Sequence, residues 1–323
     1  MRAFPFDDNR GQPPWPALPV VLALVACWLV LGWPWLSGAV TVPWDAKAHF
    51  QPQIQFLAWS LAHGESPFWT PYVFSGHPQI ADPQSLIFSP PFLLLALFNG
   101  APSLRAVDTT VLLAILAGAI GLMMYFRDRG WHAAGALLAA LGFGFGAAMA
   151  WRIQHTGQVL SLAYLPLTML WLERAMQRRS VGYGVAAGVA AAAIVLGRDQ
   201  VGLLSVYLLF GLVAWQWAAA QKPLAEARAT LPALAGGAIA GALVIAMPIL
   251  MTILVAGESN RPAIDFVGAG RGSLHPALLL TFFAPDVFGS SGEMSEYWGP
   301  PSMRWQGTDL FIAQNVGQMY IGA

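Results

Sequence analysis

Asp45 is the residue in this sequence whose type and position best suit chemistry. It follows directly on a long apolar segment, and Lys47 lies two residues further on. A carboxylate at the edge of such a segment can act as a general base or bind a metal ion next to a lipid-borne substrate. The structural alternative is an N-cap, which accepts hydrogen bonds from the first backbone N–H groups of the next helix. The spacing favours the cap, and the two roles are compatible.

Three aromatic residues, Trp69, Tyr72 and Phe74, lie downstream among prolines and glycines in GESPFWTPYVFSGHPQIADPQS. The prolines and glycines predict a compact, non-repetitive loop rather than a helix or strand. Aromatic side chains in such a loop can stack on a sugar ring or pack at a membrane interface. Composition alone favours the interface.

The same loop contains His63, His77 and Asp82. The histidines could bind a metal ion, but no short paired spacing such as HxxxH supports this, so solvated loop histidines are the favoured interpretation. Asp82 could supply a second carboxylate by folding back. Its position before Pro83 is more typical of a turn.

A membrane is the simplest location for the apolar excess of this chain. The chain is 57% hydrophobic and 10% charged, whereas an ordinary soluble domain is roughly a quarter charged. Zero net charge argues against a nucleic-acid partner, which needs a basic surface. Cys27 is the only cysteine, which excludes an intrachain disulfide and a multi-cysteine metal site.

Seven apolar stretches are long enough to predict an all-α polytopic membrane protein. The first is interpreted as an uncleaved anchor because it is too long for the apolar part of a signal peptide. The seven stretches are 17–41, 107–126, 131–150, 157–176, 181–197, 200–220 and 231–256.

The basic loops predict a cytoplasmic N-terminus, since short cytoplasmic loops are enriched in Lys and Arg. RDRG follows the second stretch and ERAMQRRS follows the fourth. We therefore expect a multi-pass protein of the bacterial inner membrane. Two long regions, 42–106 and 257–323, then lie outside the cytoplasm. We expect two parts of the chain: a transmembrane part, 1–256, and the second outside region, 257–323.

Two surface helices are predicted within region 42–106. Between Ala46 and Ala62, apolar residues recur on one helical face, although Pro52 interrupts the pattern. Residues 86–98 are apolar but too short to span a bilayer. Elsewhere, the small residues of GFGFG (142–146) and LAGGAIAGAL (234–243) favour close helix packing over dinucleotide binding.

The order WDAKAHFQPQ followed by GESPFWTPYVFSGHPQIADPQS resembles the YfhO-like family of bacterial membrane proteins, which is related to glycosyltransferases of the GT-C fold. Weaker similarities at His155, Gln158, Pro248 and YWGP (297–300) extend the resemblance over essentially the whole chain. It also implies that an eighth span begins near residue 323. The positions that match the family pattern are Gly64, Pro67, Trp69, Pro71, Tyr72, Gly76, Pro78, Ala81, Asp82, Pro83, Gln84 and Ser85.

The resemblance implies transfer of a sugar from a polyprenyl-phosphate donor to an acceptor outside the membrane, with Asp45 as the catalytic carboxylate. Cations near the ends of the spans are candidates for the donor phosphate, although each also suits an interfacial snorkelling residue. These cations are Lys47, Arg105, Arg152, Arg198 and Arg261. The substrate-loop candidates are Trp69, Tyr72, His77, Asp82, Gln84 and His155. A divalent metal is possible, but Ala46 follows Asp45, so an adjacent acidic pair is missing.

Two other classes of function compete with this one. A transporter or lipid flippase favours charged groups midway in broken spans and inverted repeats, and neither pattern is present in the sequence. A non-catalytic partner in cell-envelope assembly is compatible with the sequence. Catalysis requires Asp45, whereas a scaffold tolerates its loss.

Overall fold

The computed structural model describes residues 15–82, 84–197, 200–258, 275–284, 286–289 and 297–300. These residues form helices and turns, with one isolated antiparallel bridge between Thr70 and His77 and no strand among them. Their contacts group the chain into two compact units. The first comprises residues 1–145 and 149–257, and the second comprises 146–148 and 258–323.

Ten α-helices are found in the described residues, and nearly all of their residues belong to the larger unit. A π-helical turn, Ala46–Phe50, leads into the second helix. The helices are α1 (Ala17–Leu36), α2 (Gln51–His63), α3 (Pro90–Phe98), α4 (Leu104–Asp128), α5 (Ala133–Phe145), α6 (Ala147–Arg152), α7 (Thr156–Arg178), α8 (Val181–Val195), α9 (Gln200–Ala218) and α10 (Pro223–Glu258).

Four of these helices, α1, α4, α9 and α10, are long and apolar enough to cross a membrane. Helices α5 and α8 are also apolar but have 13 and 15 residues, fewer than the roughly 20 that a bilayer core needs. Helix α7 has 23 residues but is more polar. The all-helical architecture predicted from the sequence is therefore confirmed for the described residues, and four of the helices are candidate membrane spans. The count of seven spans stays a prediction.

The helices pack through small residues. On α4, a Cβ added at Gly118 would meet the backbone of Ala163 on α7. On α8, Cβ atoms added at Gly184 and Gly188 would overlap the backbone of α10, where Gly237 lies directly opposite. The close packing predicted for the glycines of 234–243 is therefore confirmed for the pair α8 and α10.

The larger unit has two ends, which we name after a carboxylate residue at each. One is the Glu173 end and the other is the Asp45 end. At the Glu173 end, the Nε of Arg127 donates to the carbonyl of Trp15 over 3.0 Å, so the start of α1 lies beside the end of α4. Arg179 and Glu226 lie 3.4 Å apart there, which joins the end of α7 to the start of α10.

The Asp45 end holds the opposite helix termini. The backbone N–H of Val42, after α1, donates to Asp108 near the start of α4 over 3.0 Å. The Thr252 hydroxyl, near the end of α10, donates to the carbonyl of Ala81 over 3.0 Å. The chain therefore alternates between the two ends as the basic loops predict. That the Glu173 end faces the cytoplasm stays a prediction.

Both helices predicted in region 42–106 are present. The first runs through the π-helical turn and α2, and Pro52 lies in the first turn of α2, where no helical N–H is required. The second, α3, starts at Pro90 rather than residue 86 because Leu86 adopts a left-handed φ of 54°. At about 1.5 Å per residue, α3 is about 13 Å long, too short to cross a bilayer.

In the second unit, a 3₁₀ helix covers Pro276–Phe282 and starts at His275, whose Nδ1 accepts from the backbone N–H of Ala277 over 3.2 Å. The Tyr297 hydroxyl donates to the carbonyl of Pro300 over 2.8 Å, and burial raises the pKa of Tyr297. The predicted eighth span and Arg261 lie outside the described residues.

Candidate functional site

Asp45 is positioned by an unusual backbone turn. Trp44, just before it, has a left-handed φ of 56°, a conformation that costs free energy for a bulky residue. The Trp44 carbonyl accepts from the N–H groups of Lys47 and Ala48 over 3.0 and 2.8 Å, and the π-helical turn follows. Strained residues and π-helical turns occur often at functional sites.

The N-cap predicted for Asp45 is wrong. Asp45 has the helical angles φ −59° and ψ −35°, and its carboxylate makes no capping hydrogen bond within the described turn. A capping residue needs an extended backbone so that its side chain can reach back to the N–H groups of the first turn. The left-handed Trp44 starts the helical turn one residue earlier, and the Asp45 carboxylate is turned to other partners.

His155 is the partner of Asp45. The Asp45 Oδ2 lies 3.2 Å from the His155 Nδ1, with the two side chains 55% and 33% exposed. The two atoms lie within ion-pair distance, and the pair is charged only when the imidazole is protonated. The structure thus brings together two site candidates that are 110 positions apart in the sequence.

The start of α7 holds His155 in place. Its N–H donates to the carbonyl of Arg152 over 2.8 Å, and its own carbonyl accepts from the N–H of Gln158 over 2.9 Å. The Gln154 amide nitrogen lies 3.5 Å from the His155 Nε2, at the limit of a hydrogen bond.

The five cations predicted for a donor phosphate have different surroundings. Lys47 is exposed two residues after Asp45, and Arg152 is exposed three residues before His155. Arg105 instead donates from Nε to the carbonyl of Leu36 over 2.7 Å and so closes the end of α1. The other two, Arg198 and Arg261, lie outside the described residues.

The loop between α2 and α3 contains a second histidine–carboxylate pair. The His77 Nε2 lies 3.2 Å from the Asp82 Oδ2. The Asp82 Oδ1 accepts from the N–H of Gln84 over 2.8 Å, which is the turn that the following proline predicts. The Gln84 side chain is exposed. Among the described residues, no three His, Cys, Asp or Glu side chains group closely enough to hold a metal ion, so the possible divalent metal stays a prediction.

Three glutamines on α2 position the site but were not among its predicted residues. The amide nitrogens of Gln51 and Gln55 donate to the carbonyl of Pro102 over 2.8 and 3.3 Å. In the amide orientation that satisfies its hydrogen bonds, Gln53 accepts from His49 and donates to the carbonyls of Gln84 and Ser85. Their spacing along the polar face of the predicted helix was the only sequence signal for this role.

Comparison of this chain with protein-family models, with curated proteins and with solved structures finds no significant match. The resemblance to YfhO-like proteins therefore rests on the sequence motif alone, and the geometry around Asp45 carries the functional argument.

Proposed function

We propose that this chain is a GT-C-type glycosyltransferase of the bacterial inner membrane. It moves a sugar from a polyprenyl-phosphate donor to a cell-envelope acceptor outside the bilayer. The observation that supports this most directly is the partly exposed contact between Asp45 and His155 at one end of a bundle that contains four candidate membrane spans. The motif resemblance supports it independently.

In the proposed reaction, Asp45 is the general base. It takes the proton of an acceptor hydroxyl as the oxygen forms a bond to C1 of the sugar. The bond between C1 and the donor phosphate oxygen breaks, and its electron pair leaves with the lipid phosphate. His155, whose Nδ1 lies 3.2 Å from the Oδ2 of Asp45, holds that side of the carboxylate and leaves Oδ1 to the acceptor. In the described part of the chain, Oδ1 makes no hydrogen bond.

Lys47 and Arg152 suit the leaving phosphate best among the predicted cations. Both are exposed, and each lies within three residues of one member of the Asp45–His155 pair. Exposed cations can neutralise the charge that develops on the departing phosphate. Arg105 is a weaker candidate because its Nε already donates to the carbonyl of Leu36.

Asp45→Asn tests the proposal. The amide keeps the size of the side chain but is a very weak base, and general-base assistance contributes roughly 10² to 10⁴ in rate. We expect sugar transfer to fall by that factor at matched levels of protein in the membrane. The measurement is transfer of radiolabelled sugar from a polyprenyl-phosphate donor into cell-envelope material by membranes that contain the full chain.

Glu65→Gln is the matched control because Glu65 is an exposed carboxylate in the same region, 42–106. This variant should transfer sugar at the wild-type rate. Near-normal transfer by Asp45→Asn would eliminate Asp45 as the base and favour a non-catalytic role in envelope assembly. Absence of transfer by the wild-type chain, across the donors tested, would count against the enzyme proposal itself.

A further inference from the structure

A group of exposed aromatic side chains lies in the loop between α2 and α3. Tyr72 is 72% exposed and Phe74 is 89% exposed, and Trp69 beside them is more than half exposed. We call these three residues the aromatic tip. Bulky apolar groups that a fold holds in the open mark a surface for a partner or for a membrane.

The aromatic tip is held rigidly. Thr70 and His77 exchange backbone hydrogen bonds of 2.9 and 2.8 Å across its base. The ring of Tyr72 meets that of Phe56 on α2 edge-to-face, with centroids 5.9 Å apart. A Cβ on Gly76, which has a φ of 118°, would lie 2.5 Å from the ring of Trp69. These contacts hold the rings of Trp69 and Tyr72 in position, and the ring of Phe74 lies edge-to-face with that of His77, with centroids 6.2 Å apart.

The base of this loop contacts α10 next to an exposed apolar surface of that helix. Ala81, five residues after Gly76, accepts the hydrogen bond from Thr252 on α10. Around Thr252, the apolar side chains of Leu250, Ile253 and Leu254 are exposed. Exposed aliphatic residues on a candidate span are the surface that contacts lipid tails. The loop therefore joins α10 beside an apolar surface of the kind that a bilayer covers.

Charged residues are few around the aromatic tip in the sequence, where Glu65 and Asp82 lie at its two sides. Residues 66–76 contain no Asp, Glu, Lys or Arg, and neither do residues 83–104, which include α3. Loops that project into water normally carry charged residues, whereas segments at a membrane boundary combine aliphatic residues with Trp and Tyr. The exposed α3 residues Leu94, Leu97 and Phe98 fit the same environment.

We propose that the aromatic tip inserts into the boundary between headgroups and acyl chains of the bilayer at the Asp45 end, and so anchors the loop against the membrane. Trp69 and Tyr72 suit this depth because each ring is apolar with one polar atom. Phe74 carries no hydrogen-bonding group and enters deepest. This inference does not depend on the proposed sugar transfer.

A sugar-stacking surface is the competing interpretation, and the chemistry of the tip disfavours it. A sugar site needs polar groups that converge on the hydroxyls as well as a ring to stack on. The most exposed ring here is phenylalanine, and the side chains beside it are Val73 and Ser75. No carboxylate or amide lies within residues 66–76.

The experiment uses the full chain with Cys27→Ala, which removes the only cysteine. Phe74→Cys is labelled with an environment-sensitive fluorophore and reconstituted into phosphatidylethanolamine–phosphatidylglycerol nanodiscs. Lipids with a nitroxide near the headgroup quench labels at the boundary, and aqueous iodide quenches labels in water. Glu65→Cys, at an exposed position in the same loop, is the matched control.

The label at position 74 should emit at shorter wavelength than the label at 65, lose most of its fluorescence to the nitroxide lipid and resist iodide. The label at 65 should show the reverse. Equal iodide quenching at both positions would overturn the inference. Iodide quenching at 74 that a polyprenyl-phosphate sugar relieves would also overturn it and assign the tip to substrate. Correct folding of both labelled chains is checked by gel filtration in detergent.

Discussion

The two ends of the bundle use carboxylates in opposite ways. At the Glu173 end, Arg129 donates from Nε and Nη2 to the Oε2 of Glu173 over 3.1 and 2.7 Å, and both side chains are only 4% exposed. The amide of Gln177 donates to the other oxygen. At the Asp45 end, one oxygen of a largely exposed carboxylate meets one imidazole nitrogen.

The contrast reflects the cost of burying charge. A buried ion pair is tolerated only when hydrogen bonds satisfy its atoms, and the ring of Tyr125, 4.7 Å from the Arg129 guanidinium, adds a cation–π contact. Such a carboxylate has no free oxygen for chemistry. An exposed carboxylate with a single partner can still accept a proton. The Glu173 end is therefore built for stability, and the Asp45 end leaves a reactive group accessible.

Glu173→Gln tests the contrast between the two ends at the buried ion pair of the Glu173 end. Removing the charge of Glu173 takes away the buried ion-pair partner of Arg129, and breaking a buried pair in this way typically costs about 3 to 5 kcal/mol. We expect a large loss in the free energy of unfolding, measured by denaturant titration of the purified protein in detergent. Asp45→Asn, measured in parallel, should unfold close to wild type.

An equal effect of the two substitutions would contradict the proposed division between the ends. Arg129→Met with Glu173→Met gives a further check, since replacing a buried pair by apolar residues is often neutral. Stability in the double variant close to wild type would assign the loss in Glu173→Gln to the broken ion pair rather than to lost packing.

Gly188→Ala tests the close packing of α8 against α10. An added Cβ at this position would overlap the backbone of Gly237 on α10, and overpacking of this kind typically costs about 1 to 3 kcal/mol. Gly211→Ala on α9 is the matched control, since a Cβ there meets nothing within 4 Å. Thermal unfolding in detergent should separate the two variants, and identical melting temperatures would argue against close contact of α8 and α10.

The sequence was sufficient for features that depend on local composition or spacing. The apolar stretches, the alternation of the basic loops, the glycine contacts on α10 and the turn at Asp82 all follow from neighbouring residues. The start of α3 was misplaced because the left-handed φ at Leu86 has no signal in the residue type. The cap assigned to Asp45 failed for the same reason, since the left-handed turn at Trp44 decides where the carboxylate points.

The contacts at the site were harder to predict because they join distant parts of the chain. Asp45 and His155 were both candidates, but nothing local indicated that they pair. Arg129 and Glu173 were counted only as loop charges that set the orientation, although burial makes them the best-partnered pair described. Pairing and burial depend on how helices pack, which residue spacing does not encode.

His155→Ala tests whether His155 positions the Asp45 carboxylate for the proposed transfer. Loss of the imidazole leaves the Asp45 carboxylate free to rotate, and a partly exposed pair of this kind is worth up to about 1 kcal/mol, or about fivefold in rate. His155→Asn keeps an N–H at nearly the same place and should restore most of the transfer. If His155 acts through Asp45, adding His155→Ala to Asp45→Asn should cause little further loss. Equal damage by the Asn and Ala variants would contradict a purely positioning role.

The smallest expected effect is that of Asp45→Ala on stability. A carboxylate that caps a helix contributes about 1 kcal/mol, but Asp45 has helical backbone angles and no capping contact in the described turn. Its exposed pair with His155 contributes little, because solvent screens such pairs. We therefore expect a change within about 0.5 kcal/mol in the free energy of unfolding. Ser103→Ala is the matched comparison at the same end, since the Ser103 hydroxyl accepts from the N–H of Ala106 over 3.2 Å at the start of α4 and its loss should cost about 1 kcal/mol. Denaturant titration of the two variants ranks them directly. A larger loss for Asp45→Ala than for Ser103→Ala would mean that the Asp45 end depends on its carboxylate for stability, and the distinction between the two ends would not hold.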